Sequence, residues 1–177
     1  SWDDFSIKYN SKKRSKFKMD LNIADYIVIS PGINIKKSKF KKLLVKHKKK
    51  IITDLDLFFL KNKEKKSIII TGTNGKSTTC SLIHHILKKN KIKNKLAGNI
   101  GKPVLDLKFE KDCIYVIEAS SFQLEYSNFI KPYCAAVLNI SQDHLDWHGT
   151  KKNYIKSKIK IFNNQTKNDI AYLNDIN

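Results

Sequence analysis

The sequence predicts an α/β protein whose second part is a mostly parallel open sheet with flanking helices. Short apolar stretches of strand length stand at 67–70 (Ser67 followed by three isoleucines), 113–117 and 134–138, the pattern of strands buried on both faces. Stretches with helical periodicity lie at 77–90 and 151–162. A loop carrying two glycines and a lysine, 71–78, joins the first of these strands to the first of these helices. Strands that alternate with helices argue for parallel crossovers rather than hairpins.

Residues 1–24 are a lysine-rich start with no assigned element. Tyr26-Ile27-Val28-Ile29 reads as a buried strand that stops at the turn Ser30-Pro31-Gly32. From Lys36 to Lys50 there is no acidic residue, and Phe40, Leu43, Leu44 and His47 recur at helical spacing. That predicts an amphipathic helix with a solvated lysine face, capped by Ser38. Ile51-Ile52-Thr53 suggests another strand, and Asp54 is the expected cap of a short helix holding Leu55 and Leu57-Phe58-Phe59-Leu60. The polar stretch 61–66 reads as a linker, so a domain boundary is expected between 65 and 66. Past it, the helix at 77–90 is expected to bury Cys80, Leu82, Ile83, Ile86 and Leu87 on one broad face. The helix at 151–162 is expected to turn Tyr154, Ile155, Ile159 and Phe162 inward, and 169–173 starts a last strand.

Composition narrows the function classes. Lys plus Arg is 35 against 16 Asp plus Glu, a net charge of +19. Arg14 is the single arginine, whereas a specific nucleic-acid surface leans on arginine forks. A compositional bias toward Lys, Asn and Ile accounts for the charge, leaving only weak, salt-sensitive attraction to polyanions. No apolar run is long enough to span a membrane. The cysteines Cys80, Cys113 and Cys134 are odd in number, far apart and without a CxxC pair. They point away from a disulfide framework or zinc site and toward a reducing cytoplasm. Ser1 follows no initiator Met and opens no secretory leader, so the chain is expected to be cut from a longer protein.

The strongest signal is Thr71-Gly72-Thr73-Asn74-Gly75-Lys76-Ser77-Thr78, leaving a strand and entering a helix. Gly72 and Gly75 allow a tight turn that aims backbone N–H groups at a phosphate, and the helix adds its positive end. Lys76 would reach the β- and γ-phosphates, and Ser77, helped by Thr78, would hold Mg²⁺. The spacing departs from the standard phosphate loop, because Ile70 stands where the first glycine is expected. Glu118 ends an apolar strand, where α/β sheets bind ligands, and could hold Mg²⁺ directly or through water. His144 follows the next strand in Asp143-His144-Leu145-Asp146 and could meet a metal or a substrate oxygen. His84 and His85 read as packing or surface residues. His148, before Gly149, stays open between turn and site.

Taken together, these segments resemble the Mur ligases, ATP-dependent enzymes that build the peptidoglycan stem peptide. The phosphate loop and Asp143-His144-Leu145-Asp146 resemble segments shared across that family. Ser30-Pro31-Gly32-Ile33, Gly98-Asn99-Ile100-Gly101 and Glu118-Ala119-Ser120-Ser121-Phe122-Gln123-Leu124-Glu125 resemble its D-glutamate-adding branch. The resemblance implies that 1–65 is the end of a Rossmann-like UDP-substrate domain and that 66–177 is a truncated central ATP domain. It also implies that an amino-acid-binding domain is missing, so the fragment is inactive alone. By resemblance, Lys76, Glu118, His144 and Lys158 are catalytic, and residues 72–78 (Gly72, Thr73, Asn74, Gly75, Lys76, Ser77, Thr78) bind ATP. Gly32, Asn99, Ser120, Gln123 and His144 face the substrate. Ser77 and Glu118 hold one Mg²⁺; His144 and a carbamylated Lys158 serve a second. The implied partners are UDP-N-acetylmuramoyl-L-alanine, D-glutamate and ATP, in a cytoplasmic monomer without specific nucleic acid or membrane. Another Mur ligase or a folylpolyglutamate synthase is the same-class alternative, against which Phe122-Gln123 and Ser30-Pro31-Gly32 speak. A basic nucleic-acid-binding protein with a phosphate loop is the alternative from a different class.

Overall fold

The computed structural model describes residues 11–62 and 66–174. The chain divides into two compact units, Ser1–Ile52 and Thr53–Asn177. In the first, α1 (Ser11–Ile23) occupies the lysine-rich start where no element was expected. Residues 1–10 of that start lie outside the described residues. Two short parallel strands follow, β1 (Ile27–Val28) and β2 (Ile51–Ile52), with Ile27 opposite Ile51. The lysine block between them is less helical than its periodicity implies. Only α2 (Lys41–Lys46) is α-helical, and Lys48–Lys50 form a 3₁₀ turn. Ser38 does not cap α2; its Oγ accepts from the Phe40 N–H two residues on, and Phe40 takes the cap position. Local side-chain bonding of this kind competes with helix extension, and no acidic residue relieves the lysine repulsion. Phe40 and Leu44 are buried as expected, and the Phe17 and Phe40 rings meet edge-on at 5.4 Å.

The second unit begins earlier than the linker predicted. Helix α3 (Asp54–Lys61) buries Leu55, Phe58 and Phe59 in the core of that unit, which carries the division upstream of 61–66. Its cap is Thr53 rather than Asp54: the Thr53 hydroxyl and the Asp56 carboxylate form a reciprocal capping box. Of the expected linker, residues 63–65 lie outside the described residues.

The sheet is five-stranded and parallel throughout, in the order β4 (Asn94–Gly98), β5 (Ile114–Glu118), β3 (Ser67–Thr71), β6 (Cys134–Val137), β7 (Ile170–Leu173). Strand β4 was not foreseen. Its sequence, Asn94-Lys95-Leu96-Ala97-Gly98, has no apolar run beyond Leu96-Ala97 and is extended because β5 pairs with it along its whole length. Helix α4 (Lys76–Lys89) covers one face with Cys80, Ile83 and Leu87, while Leu82 and Ile86 are exposed. The expected broad apolar face is therefore a narrow one. The opposite face packs against α3, α5 (Ser121–Tyr126) and α7 (Lys151–Ile159), around Tyr115, Ile117, Leu124 and Tyr154. A short α6 (Leu145–His148) precedes α7. Among the described residues, no helix is long and apolar enough to cross a membrane.

The register decides where chemistry can occur. Gly98, Glu118, Ile70 and Ala136 lie level across β4, β5, β3 and β6. The loops that leave these strands therefore emerge together along one edge, the carboxyl edge on which such sheets bind ligands.

Candidate functional site

The phosphate loop is built as its residues dictate. Gly75 caps α4 in the left-handed region, φ 79° and ψ 0°, which a side chain would strain. Gly72 passes close to the next strand's exit, where an added Cβ would come 3.2 Å from the Leu138 Cβ. Asn139, just past β6, clamps the loop: its Oδ1 accepts from the Asn74 N–H at 2.9 Å and its Nδ2 donates to the Asn74 carbonyl at 3.0 Å. The Asn139 carbonyl also accepts from the Thr73 N–H. Lys76 is folded back, its Nζ donating to the carbonyls of Gly72 at 3.0 Å and Thr73 at 2.8 Å.

At the other side of the loop the Ser77 hydroxyl donates to Glu118 Oε2 at 2.7 Å. Asn99 Nδ2 donates to the second oxygen, Oε1, at 3.0 Å. Glu118 is 1% exposed, so these donors replace the water its carboxylate has lost. Among the described residues, no three His, Cys, Asp or Glu side chains gather as a metal cluster. The hard oxygens beside the loop are those of Ser77 and Glu118, a donor set that suits Mg²⁺ completed by phosphate and water oxygens.

Lys158 is buried on α7, 1% exposed, and its Nζ donates to the Gly72 carbonyl at 2.7 Å. Burial, and then the nearby charge of Lys76, bring its pKa down to about 7, against a smaller upward pull from Asp143. Tyr154, one turn earlier on α7, places its hydroxyl 3.1 Å from the Thr73 hydroxyl. His144 begins α6 in the left-handed region, φ 50° and ψ 33°. It is exposed, packs against Phe122 with ring centroids 4.7 Å apart, and lies 3.4 Å from the Asp143 carboxylate.

Two hydrogen-bonded sets thus flank the loop, Lys76 and Lys158 on the Gly72 carbonyl and Ser77 and Asn99 on the Glu118 carboxylate, and the Tyr154 ring lies 6.3 Å, centroid to centroid, from that of His144. Thr78 is exposed on the first turn of α4. Ser120 and Gln123 do structural work: they form the capping box of α5, and Gln123 Nε2 donates to the Asp54 carboxylate at 3.2 Å. Gly32 lies in the turn after β1, in the first unit. His148, left open by the sequence, is buried, with its Nε2 3.0 Å from the Ser121 hydroxyl. Cys80 is an inert packing residue; burial and the Glu118 charge push its thiol up to about 12.

A family model described as the Mur ligase middle domain matches residues 70–177. The chain belongs to the Mur ligase family. The match takes in the loop, Asn99, Glu118, His144 and Lys158, every site residue except Gly32. A UDP-N-acetylmuramoylalanine--D-glutamate ligase from Wolbachia pipientis wMel is 49% identical over 138 residues, covering 77% of this chain and 27% of that protein. A ligase of the same name from Thermotoga sp. (strain RQ2) is 40% identical over 175 residues, covering 97% of this chain and 39% of that protein. The chain therefore spans well under half the length of these curated relatives. The crystal structure of a MurF ligase from Thermotoga maritima in complex with ADP shares the fold, with a TM-score of 0.53 at 21% identity over 93% of this chain and 40% of that one.

Within this Mur ligase chain, sequence reasoning missed Asn139 as the loop clamp and the Tyr154 hydroxyl as a loop contact. For Asn139 a signal existed: a lone amide directly after a buried strand that exits beside the phosphate loop. For Tyr154 the periodicity announced burial but not the hydroxyl's partner.

Proposed function

We propose that this chain carries the nucleotide-binding and acid-activating part of an ATP-dependent ligase that joins D-glutamate to UDP-N-acetylmuramoyl-L-alanine. The observation that carries the reading is the Ser77–Glu118 hydrogen bond at the mouth of the phosphate loop. It sets a hydroxyl and a carboxylate side by side at the helix end where a triphosphate tail would sit. The choice of D-glutamate rests on the relatives named for that reaction.

In this reading the γ-phosphoryl group of ATP passes to the carboxylate of the alanine, giving an acyl phosphate and ADP. The amine of D-glutamate then attacks the acyl carbon, and phosphate leaves as the amide forms. Both steps bring anions together, so positioning and charge neutralisation dominate. Lys76 exchanges its contacts with the Gly72 and Thr73 carbonyls for the β- and γ-phosphates. Ser77 and Glu118 hold Mg²⁺, which when bound supplies countercharge to the phosphate oxygens. Lys158, with its pKa near 7, is substantially neutral in neutral solution. A neutral amine can add to CO₂ and lose a proton, giving a carbamate that, with His144, would serve a second Mg²⁺. Asn99, Ser120 and Gln123 face the muramyl part of the substrate. For Gln123 that contact requires its amide to leave Asp54. The enzyme is read as a cytoplasmic monomer, in keeping with three free thiols.

The test is amide formation by an enzyme of the relatives' full length carrying these residues, given UDP-N-acetylmuramoyl-L-alanine, MgATP and a panel of amino acids. Turnover is expected with D-glutamate, and Glu118→Gln is expected to abolish it with the fold intact by circular dichroism. Preference for another amino acid would overturn the substrate assignment. Near-normal turnover in Glu118→Gln would remove that carboxylate from the metal site.

A further inference from the structure

The geometry points to Asn99 as the positioning residue of the metal-holding carboxylate, a role separate from facing the substrate. This rests on the nucleotide and Mg²⁺ reading of the preceding section. Glu118 is buried and receives a side-chain donor on each oxygen: Ser77 on Oε2 and Asn99 on Oε1. The two donors differ in kind. A serine hydroxyl keeps lone pairs that can face a cation, whereas an amide N–H can only donate. Asn99 Nδ2 therefore engages Oε1 through a contact no cation competes for on the amide side. It leaves Oε2, on the Ser77 side, as the oxygen directed at the loop.

Asn99 is itself held by residue 118. Its backbone N–H donates to the Glu118 carbonyl at 3.0 Å, so main chain and side chain of one residue grip the other. The approach depends on Gly98, whose φ is 100° and where an added Cβ would come 2.2 Å from the Glu118 carbonyl oxygen. Gly98 N–H in turn donates to the Lys102 carbonyl, closing the 98–102 loop over the end of β5. Asn99 is exposed, so its amide is not there to fill a core. Removing it leaves Oε1 without its donor and the carboxylate free to rotate, while the backbone cradle of residues 72–78 is untouched.

The measurement is calorimetric titration of the 177-residue chain with ADP in EDTA, then with Mg²⁺ at saturating ADP. In Asn99→Ala the Mg²⁺ affinity is expected to fall about tenfold or more, the usual scale for losing a group that orients a metal ligand. Affinity for ADP in EDTA is expected to stay within about twofold, since the cradle's N–H groups supply that binding. Asn99→Gln, which retains an amide, is expected to recover part of the loss. Unchanged Mg²⁺ affinity in Asn99→Ala overturns the inference, as does a parallel loss of ADP binding in EDTA. Failure of the unsubstituted chain to bind ADP at all would instead sink the nucleotide reading beneath it.

Discussion

Lys76 and Lys158 bring their amines to the same oxygen, the Gly72 carbonyl, at 3.0 and 2.7 Å. Lys76 comes from four residues along the same loop and is half-buried. Lys158 comes from 86 residues away, on a helix behind the loop, and is 1% exposed. One is a local cation with access to solvent and ligand. The other is an amine whose proton is held weakly because water has been taken from it. The difference shows that contact with one atom does not fix a side chain's chemistry; desolvation does.

Stability against pH should expose that difference most strongly. Burial holds the folded pKa of Lys158 at about 7, below the ordinary lysine value of 10.5, so the unfolded chain binds the extra proton between these values. Stability must then climb with pH through that window, by about 2–4 kcal/mol from pH 7 to 9.5 at roughly 1.4 kcal/mol per pKa unit. Urea unfolding in carbonate-free buffer checks this: the climb should vanish in Lys158→Met and persist in Lys76→Ala. An equal climb in Lys158→Met would assign it to other groups. The converse experiment is ADP binding. Lys76→Ala should lose about 10–100-fold in affinity, the range for one charged hydrogen bond of roughly 1.5–3 kcal/mol, and unchanged affinity would remove Lys76 from the phosphates. The smallest effect is expected at the tie between the two regions. Tyr154→Phe removes the hydroxyl that meets Thr73 and should lower stability by about 1 kcal/mol. No change in the unfolding midpoint would mean the hydroxyl adds nothing net.

The same contrast explains what could be read from the sequence. The loop 71–78 was legible because everything it needs is contiguous: a strand, two glycines, a lysine and a helix start. Glu118 was legible from its place at the end of an apolar run. Strand β4 was not, because Asn94-Lys95-Leu96-Ala97-Gly98 carries no strand pattern and only pairing with β5 extends it. Nor was α5, six residues long, whose one local signal is the Ser120–Gln123 capping box. The burial of Lys158 was illegible in principle: among many lysines, only the packing of α7 beside Tyr154 and Gly72 selects it. The family resemblance named that lysine without supplying the reason, which is the low-dielectric slot behind the loop.

The level alignment of Gly98, Glu118, Ile70 and Ala136 has a kinetic side. Neighbours in this row lie 20, 48 and 66 residues apart in the chain, so chain entropy must be surrendered before these exits meet. No hairpin-sized piece of the polypeptide contains a working grip. On the proposed reading, a nucleotide is gripped only where all of these strand ends have come together.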